Sequence, residues 1–245
     1  LLVRENPGSG LVSIRMGLQG GLRAESRRNN GAHNLLARVW PRGTRRHDAL
    51  GLARSMEEIA GRCSAFSGRN SFGLSSTFLT TGLDRGLELF RDVLLEPTFP
   101  GDETERMRAL TREAIRNIPD NPVNLGFLHF HEVMYRGHPF RMPIMGTERS
   151  LERLTPGMLA GVYRRGLVGP NTVVAVVADA DGDLVESRVA EMLAELPGTA
   201  SRAPGPQEGR SLVGVRLREV PTRKQQAHLM VGFRGARVTD PDRHA

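Results

Sequence analysis

The sequence is organised around the stretch Gly31-Ala-His-Asn-Leu-Leu-Ala-Arg-Val-Trp-Pro-Arg-Gly-Thr44. This stretch is typical of a buried helix that ends at Pro41, because proline cannot continue a helix and pushes the residue before it out of the helical region. Gly43 and Thr44 then form the exit from the helix. The stretch therefore predicts a buried helix whose end is fixed by its own sequence.

Strand and helix patterns lie on both sides of this helix. Residues 1–6 and 11–19 are predicted strands, and the second alternates apolar residues with polar ones, which is typical of a half-buried strand. The other predicted elements are a strand pair at 63–80, a buried strand at 173–178, and helices at 48–60, 84–96, 103–118, 124–135, 156–163 and 183–195.

Composition is that of an ordinary globular protein long enough to bury a sizeable core, with 245 residues, 39% apolar and 25% charged. The sequence has no run of 18 or more apolar residues, so we expect no membrane span. The net charge of +7 comes almost entirely from arginine, since Lys224 is the only lysine. These arginines alternate with acidic residues and lack stacking aromatics, so we expect no nucleic-acid partner.

Nucleophilic chemistry has no support in the sequence. Cys63 is the only cysteine, which excludes an internal disulfide, and no histidine or asparagine is positioned beside it by a recognisable motif. The serine-rich segment 71–77 contains no G-x-S-x-G turn.

We expect a bacterial protein and leave the cytoplasm and the periplasm open as its compartment.

The surroundings of the organising helix resemble the zinc helix of the pitrilysin–insulinase family of metallopeptidases, the inverzincins, whose signature is H-x-x-E-H. Without gaps, the family pattern Gly-x-Ala-His-x-x-Glu-His-x-x-Phe-x-Gly-Thr covers residues 31–44. The first histidine falls on Asn34, the glutamate on Ala37 and the second histidine on Arg38. The signature works because two imidazoles at i and i+4 reach one zinc ion while the glutamate activates its water. The resemblance implies a degenerate member without catalytic residues.

The segment 94–121 resembles the family's linker and the helix that carries its third zinc ligand. That ligand, a glutamate, falls on Ala114. Glu113 is adjacent, but one residue along a helix is a rotation of about 100°, which turns it off the face that carries Met107, Leu110 and Ala114. His33 and Glu113 are the only candidates for relocated ligands, and His33 is expected to be a hydrogen-bonded polar residue near the helix start.

The resemblance also implies a fold and a place for substrate. The fold is α+β, a mostly antiparallel sheet flanked by helices. The strand pair at 63–80 matches the edge strand on which the family lays a substrate peptide, which points to Ala65, Ser67, Ser71 and Phe72 as substrate-binding residues. The alternative is an ordinary edge strand whose polar side chains face water.

The resemblance divides the chain into three parts. Residues 1–200 are expected to form a zinc-less metallopeptidase domain, 201–210 a Pro/Gly-rich linker, and 211–245 the first strands, at 212–220 and 226–233, of a second, truncated homologous domain.

Three hypotheses for function remain open. The first is a non-catalytic half or subunit of a zinc metalloendopeptidase, which closes the chamber and contacts the peptide substrate. We then expect no cofactor in this chain, and zinc in a homologous partner half. The second is a purely structural or partner-binding homologue. The third, weaker hypothesis is an active zinc peptidase with relocated ligands.

Overall fold

Five strands form one sheet in the part of the chain that the computed structural model describes, namely residues 1–200, 213–221, 226–236 and 240–242. The strands are β1 (Leu2–Glu5), β2 (Leu11–Gln19), β3 (Arg62–Ser67), β4 (Ser71–Leu79) and β5 (Thr172–Ala178). Their order is β1-β5-β2-β4-β3. The β1–β5 pair is parallel and the other three pairs are antiparallel, which confirms the predicted mostly antiparallel sheet.

The first two strands are consecutive in sequence but are not neighbours in the sheet. β5 lies between them and pairs with β1 on one side and with β2 on the other. Val174 and Val176 of β5 are each 1% exposed. Valine is favoured in a strand that pairs with neighbours on both edges and is covered on one face. The interior position of β5 in the sheet meets both conditions.

The core lies between one face of the sheet and the helices. Val12, Ile14, Met16 and Leu18 of β2 are 0–1% exposed, as their alternation predicts. Residues between them face the opposite side, where apolar side chains of other strands are also exposed. One face of the sheet therefore holds the helices, and the other carries the exposed side chains.

Eight α-helices accompany the sheet among the described residues, which confirms the predicted α+β class. They are α1 (Ala32–Val39), α2 (Ala49–Glu58), α3 (Leu83–Leu95), α4 (Gly101–Arg116), α5 (Pro122–Met134), α6 (Glu148–Leu151), α7 (Pro156–Gly166) and α8 (Gly182–Ala194). Helix α1 is central, because it packs against β3, β4, α4 and α7.

The organising stretch folds as predicted. Helix α1 follows Gly31, whose φ of 90° is left-handed, and it gives way at Trp40 to a single 3-10 turn that contains Pro41. Six of the eight residues of α1 are buried. The predicted buried helix and its end at the proline are both confirmed.

Helix α4 differs from the prediction in its start and in its buried face. It starts at Gly101 rather than at 103, with Pro100 at the cap position. Asp102 lies in the first turn, where its negative charge interacts favourably with the helix dipole. Leu110 is 46% exposed, and the buried residues are Thr104, Met107 and Thr111. Both threonine hydroxyls donate to carbonyls four residues earlier at 2.7 Å, which satisfies them inside the core.

The predicted strands 212–220 and 226–233 are absent from the described residues 213–221 and 226–236. Val215 is 99% exposed and Phe233 is 83% exposed, because no neighbouring strand covers them. A segment without a neighbouring strand cannot form the hydrogen bonds of a sheet. Alternating apolar residues alone therefore do not make it a strand. The predicted linker 201–210 lies outside the described residues, and the division of the chain into domains remains a prediction.

No helix in the described part has both the length and the apolarity needed to cross a bilayer.

Candidate functional site

A buried glutamate fixes the start of helix α1. One carboxylate oxygen of Glu25 accepts from the backbone N–H of Gly31 at 2.7 Å, and the other accepts from that of His33 at 2.8 Å. The side chain of Asn30 donates to Glu25 at 3.0 Å. These bonds satisfy backbone donors that the first turn of a helix otherwise leaves open. Sequence reasoning missed this role of Glu25.

The imidazole of His33 lies within hydrogen-bond distance of the same carboxylate. Its Nδ1 lies 3.1 Å from Glu25 Oε1, and both residues are buried. Its ring also packs edge-on against Phe72, with 4.9 Å between the ring centroids. The expectation that His33 is a hydrogen-bonded polar residue near the helix start is confirmed.

The zinc positions of the family frame lie on one side of α1. The Nε of Arg38 donates to Oδ1 of Asn34 at 3.2 Å, which shows that these two residues, one helical turn apart, share a face. Ala37 is 8% exposed beside them, and Ala114 is half-buried on α4, which packs against α1. The arrangement brings a cation and an amide together where two imidazoles would stand.

These residues do not fit a zinc ion. Zinc in proteins is held by imidazole nitrogen, thiolate sulfur or carboxylate oxygen, and neither alanine offers a donor. Asn34 already accepts from the guanidinium of Arg38, whose positive charge opposes a dication. Glu113 is exposed on α4, while His33 is bound to Glu25. Within the described ranges, no group of three or more His, Cys, Asp or Glu side chains is arranged to hold a metal.

A groove of about 560 Å³ opens beside these positions, between α1, α2 and the edge strand β3. We call it the β3 groove. Its lining residues are Asn34, Ala37, Arg38, Pro41, Arg42, Ala49, Leu52, Ala53, Met56, Glu57, Gly61, Arg62, Cys63, Ser64, Ala65 and Ser67. Asn34, Ala37 and Arg38, at the zinc positions of the family frame, thus face the same space as the edge strand.

The structure separates the four predicted substrate-binding residues into two pairs. Ala65 and Ser67 lie on β3, which pairs only with β4 among the described residues, and both line the β3 groove. Ser71 and Phe72 lie on β4, which pairs on both sides and is not an edge strand. Phe72 is 1% exposed in the core, so its side chain offers a substrate little surface, and its role as a substrate-binding residue stays a prediction. The sequence of a hairpin does not show which of its two strands pairs with a further strand and which one forms the edge of the sheet.

Positive charge dominates the β3 groove. In the described part of the chain, Arg38, Arg42 and Arg62 line it together with one carboxylate, Glu57. Sequence reasoning missed Arg42 and Arg62. The four-residue spacing of Arg38 and Arg42 could have indicated that both lie on one side of the chain. Arg62 lies on another element, so no local spacing relates it to them.

The thiol in the β3 groove is a poor nucleophile. Cys63 is half-buried on β3, and burial of its thiol raises the pKa to about 12. A thiol with that pKa stays protonated at neutral pH, and the thiolate is the reactive species. The structure thus agrees with the lack of nucleophilic chemistry in the sequence.

Comparison with known proteins adds sequence relationships to this geometry. The family model described as insulinase (peptidase family M16) matches residues 1–148. An uncharacterized zinc protease of Streptomyces coelicolor is 25% identical over 230 residues, which cover 92% of this chain and 50% of that protein. The mitochondrial-processing peptidase subunit beta of Caenorhabditis elegans is 22% identical over 192 residues, covering 78% and 42%. The chain thus spans about half the length of these relatives.

Solved structures share the fold. The peptidase M16 inactive domain from Pseudomonas fluorescens superposes with a TM-score of 0.78 at 21% identity, covering 85% of this chain and 51% of that one. A protease from Helicobacter pylori gives a TM-score of 0.74 at 20% identity, covering 84% and 50%.

Proposed function

The chain belongs to the insulinase family of peptidases, family M16, and from this membership we propose that it is a non-catalytic half or subunit of a zinc metalloendopeptidase. In this role it closes the chamber of the enzyme and contacts the peptide substrate, while a homologous partner half holds the zinc. The observation that carries the proposal is the Arg38–Asn34 hydrogen bond on α1, which places a guanidinium where the family needs a metal ligand.

The intact framework supports a role for the surface of the chain. Glu25 holds the start of α1, and the sheet is complete although the metal positions have changed. The similarity of the fold to a domain described as inactive is in keeping with this role.

The edge strand β3 supports the peptide-contacting part of the proposal. An edge strand has backbone N–H and C=O groups that an extended peptide can pair with, so it binds peptides with little dependence on their sequence. Ala65 and Ser67 present small side chains at that edge. A substrate strand laid on β3 would lie beside Asn34 and Arg38, which line the same groove.

A peptidase with relocated ligands has less support. His33 Nδ1 lies 3.1 Å from Glu25, so the histidine would have to leave a buried carboxylate to reach a metal. Glu113 is exposed on a different helix, and no second histidine accompanies the pair in the family frame.

Reconstitution with a zinc-bearing M16 homologue from the same genome tests the proposed role. We expect the two chains to co-purify and the mixture to cleave peptides at least about tenfold faster than the zinc-bearing chain alone. The control is the zinc-bearing chain with its H-x-x-E-H glutamate replaced by glutamine, which should leave the mixture inactive. If the chains associate but the zinc-bearing chain is equally active alone, a purely structural homologue is the better description. Failure to associate removes the partner role.

A further inference from the structure

Three arginines from different elements meet in the β3 groove. Arg38 is in α1, Arg42 follows it in the 3-10 turn, and Arg62 begins β3. All three line the same space of about 560 Å³. Two of its walls therefore carry guanidinium groups.

These cations are not neutralised within the described part of the chain. Neither Arg38, Arg42 nor Arg62 forms an ion pair there, and Glu57 is the only carboxylate that lines the groove. Arginines elsewhere pair with acidic side chains, as Arg91 does with Glu195 at 2.7 Å. The β3 groove therefore brings three guanidinium groups together beside one carboxylate, that of Glu57, among the described residues.

One of the three arginines has a buried donor without an acceptor. The Nε of Arg42 is shielded from solvent, and no hydrogen-bond partner lies near it among the described residues. A buried N–H without a partner is unfavourable, and the guanidinium is built to donate to the oxygens of a carboxylate or phosphate. Arg42 also lines the groove, so its guanidinium is placed to interact with an anion there.

The surroundings favour a peptide carboxylate over a nucleic-acid phosphate. Among the described residues, no aromatic side chain lines the groove, so they offer no platform on which a base could stack. The edge of β3 offers backbone groups to an extended chain, and Ser64 and Ala65 leave room for that chain to approach. Backbone pairing and guanidinium groups together match a peptide strand that carries negative side chains.

We propose that the β3 groove binds an extended acidic peptide segment, with the side-chain carboxylate of an aspartate or glutamate held by Arg38, Arg42 and Arg62. This inference rests on the proposed peptide-contacting function and adds a preference to it. Arg38, which stands where the family frame has its second histidine, thereby becomes part of a site that accepts an anion.

Binding of two blocked peptides tests the preference. Both are acetylated, amidated and dye-labelled, with threonine alternating with glutamate in one and with glutamine in the other, so that neither has a terminal charge. We expect the glutamate peptide to bind at least about tenfold more tightly in fluorescence anisotropy. The difference should shrink as salt is added, since screening weakens partly exposed charge pairs.

Charge-removing variants locate the site. Arg38→Gln and Arg62→Gln should each weaken the glutamate peptide by about fivefold to tenfold and leave the glutamine peptide unchanged. Arg54→Gln is the matched control, because Arg54 is an exposed residue of α2 outside the groove lining and without an ion pair in the described part. Thermal unfolding of each variant checks that the fold is retained.

The outcomes separate this inference from the proposed function. If both peptides bind equally and the groove variants behave like Arg54→Gln, carboxylate recognition is wrong while peptide contact stands. If neither peptide binds, both the carboxylate site and the peptide-contacting part of the proposed function are lost.

Discussion

At the scale of single residues, Arg38 determines what α1 can do chemically. It lies one turn after Asn34 and donates to it at 3.2 Å, so the two side chains occupy the places from which two imidazoles could reach one ion. Compared with the family signature, arginine at this position offers no metal ligand and adds a positive charge.

Zinc binding provides a direct prediction at this scale. The chain should retain no stoichiometric zinc after dialysis. The variant Asn34→His/Ala37→Glu/Arg38→His/Ala114→Glu should hold about one zinc per chain, because α1 and α4 pack together and would then supply three ligands and the base. Metal analysis of both proteins measures the result.

The control for zinc binding is Ala37→Glu/Ala114→Glu, which adds both carboxylates without the histidines and should hold little zinc. Circular dichroism shows whether each variant is folded. A folded quadruple variant that ignores zinc would mean that the family frame is misplaced on α1 or α4. One tightly held zinc in the unmodified chain would instead direct attention to His33 and Glu113.

At the scale of elements, the start of α1 is locked to the loop before α6. Gly31 and Gly146 have φ values of 90° and 81°. A Cβ on Gly31 would lie 2.6 Å from the carbonyl oxygen of Met145, and one on Gly146 would lie 2.6 Å from that of Asn30. The two backbones therefore touch, and both positions require glycine for conformation and for space.

Alanine at Gly31 should destabilise the protein strongly. We expect Gly31→Ala to lower the free energy of unfolding by about 2–4 kcal/mol, because it combines a left-handed φ with a backbone clash. Urea denaturation measures the change. The control is Gly101→Ala, where an added Cβ meets nothing within 4 Å at the first residue of α4, and which should change stability by less than about 0.5 kcal/mol. Similar losses at both positions would show that α1 is not held by this contact.

At the scale of the whole molecule, Trp40 links the sheet to the helices α3 and α7. It is the only tryptophan, it is 0% exposed, and its Nε1 donates to the carbonyl of Val93 in α3 at 2.8 Å. Its ring centroid lies 5.4 Å from that of Tyr163 in α7 and 6.2 Å from that of Phe72 in β4. A change in the packing of β4, α3 or α7 therefore alters the surroundings of Trp40.

Unfolding should appear as one transition if residues 1–200 are a single domain. Tryptophan fluorescence then reports the centre of the core, and far-ultraviolet circular dichroism reports all helices and strands. We expect the two denaturation curves to have the same midpoint, as for a two-state domain. Separate midpoints would divide the segment into more than one cooperative unit.

The sequence alone determined the features that follow local rules. The alternation from Val12 to Leu18 predicted a half-buried strand, and Pro41 predicted the end of α1, because a period of two and a missing N–H act within a few residues. The ordered set of motifs around residues 31–44 also predicted the family, which the match over residues 1–148 confirms.

Tertiary structure decided the rest, because strand neighbours and clustered charges depend on residues far apart in the chain. β5 enters between β1 and β2, and β4 rather than β3 gains a second partner, which buries Phe72 and leaves Ala65 on the edge. Arg38 and Arg62 lie on separate elements, and only the packing of α1 beside β3 places them in one groove. Pairing and burial of this kind are set by the energy of the whole fold, which no local pattern contains.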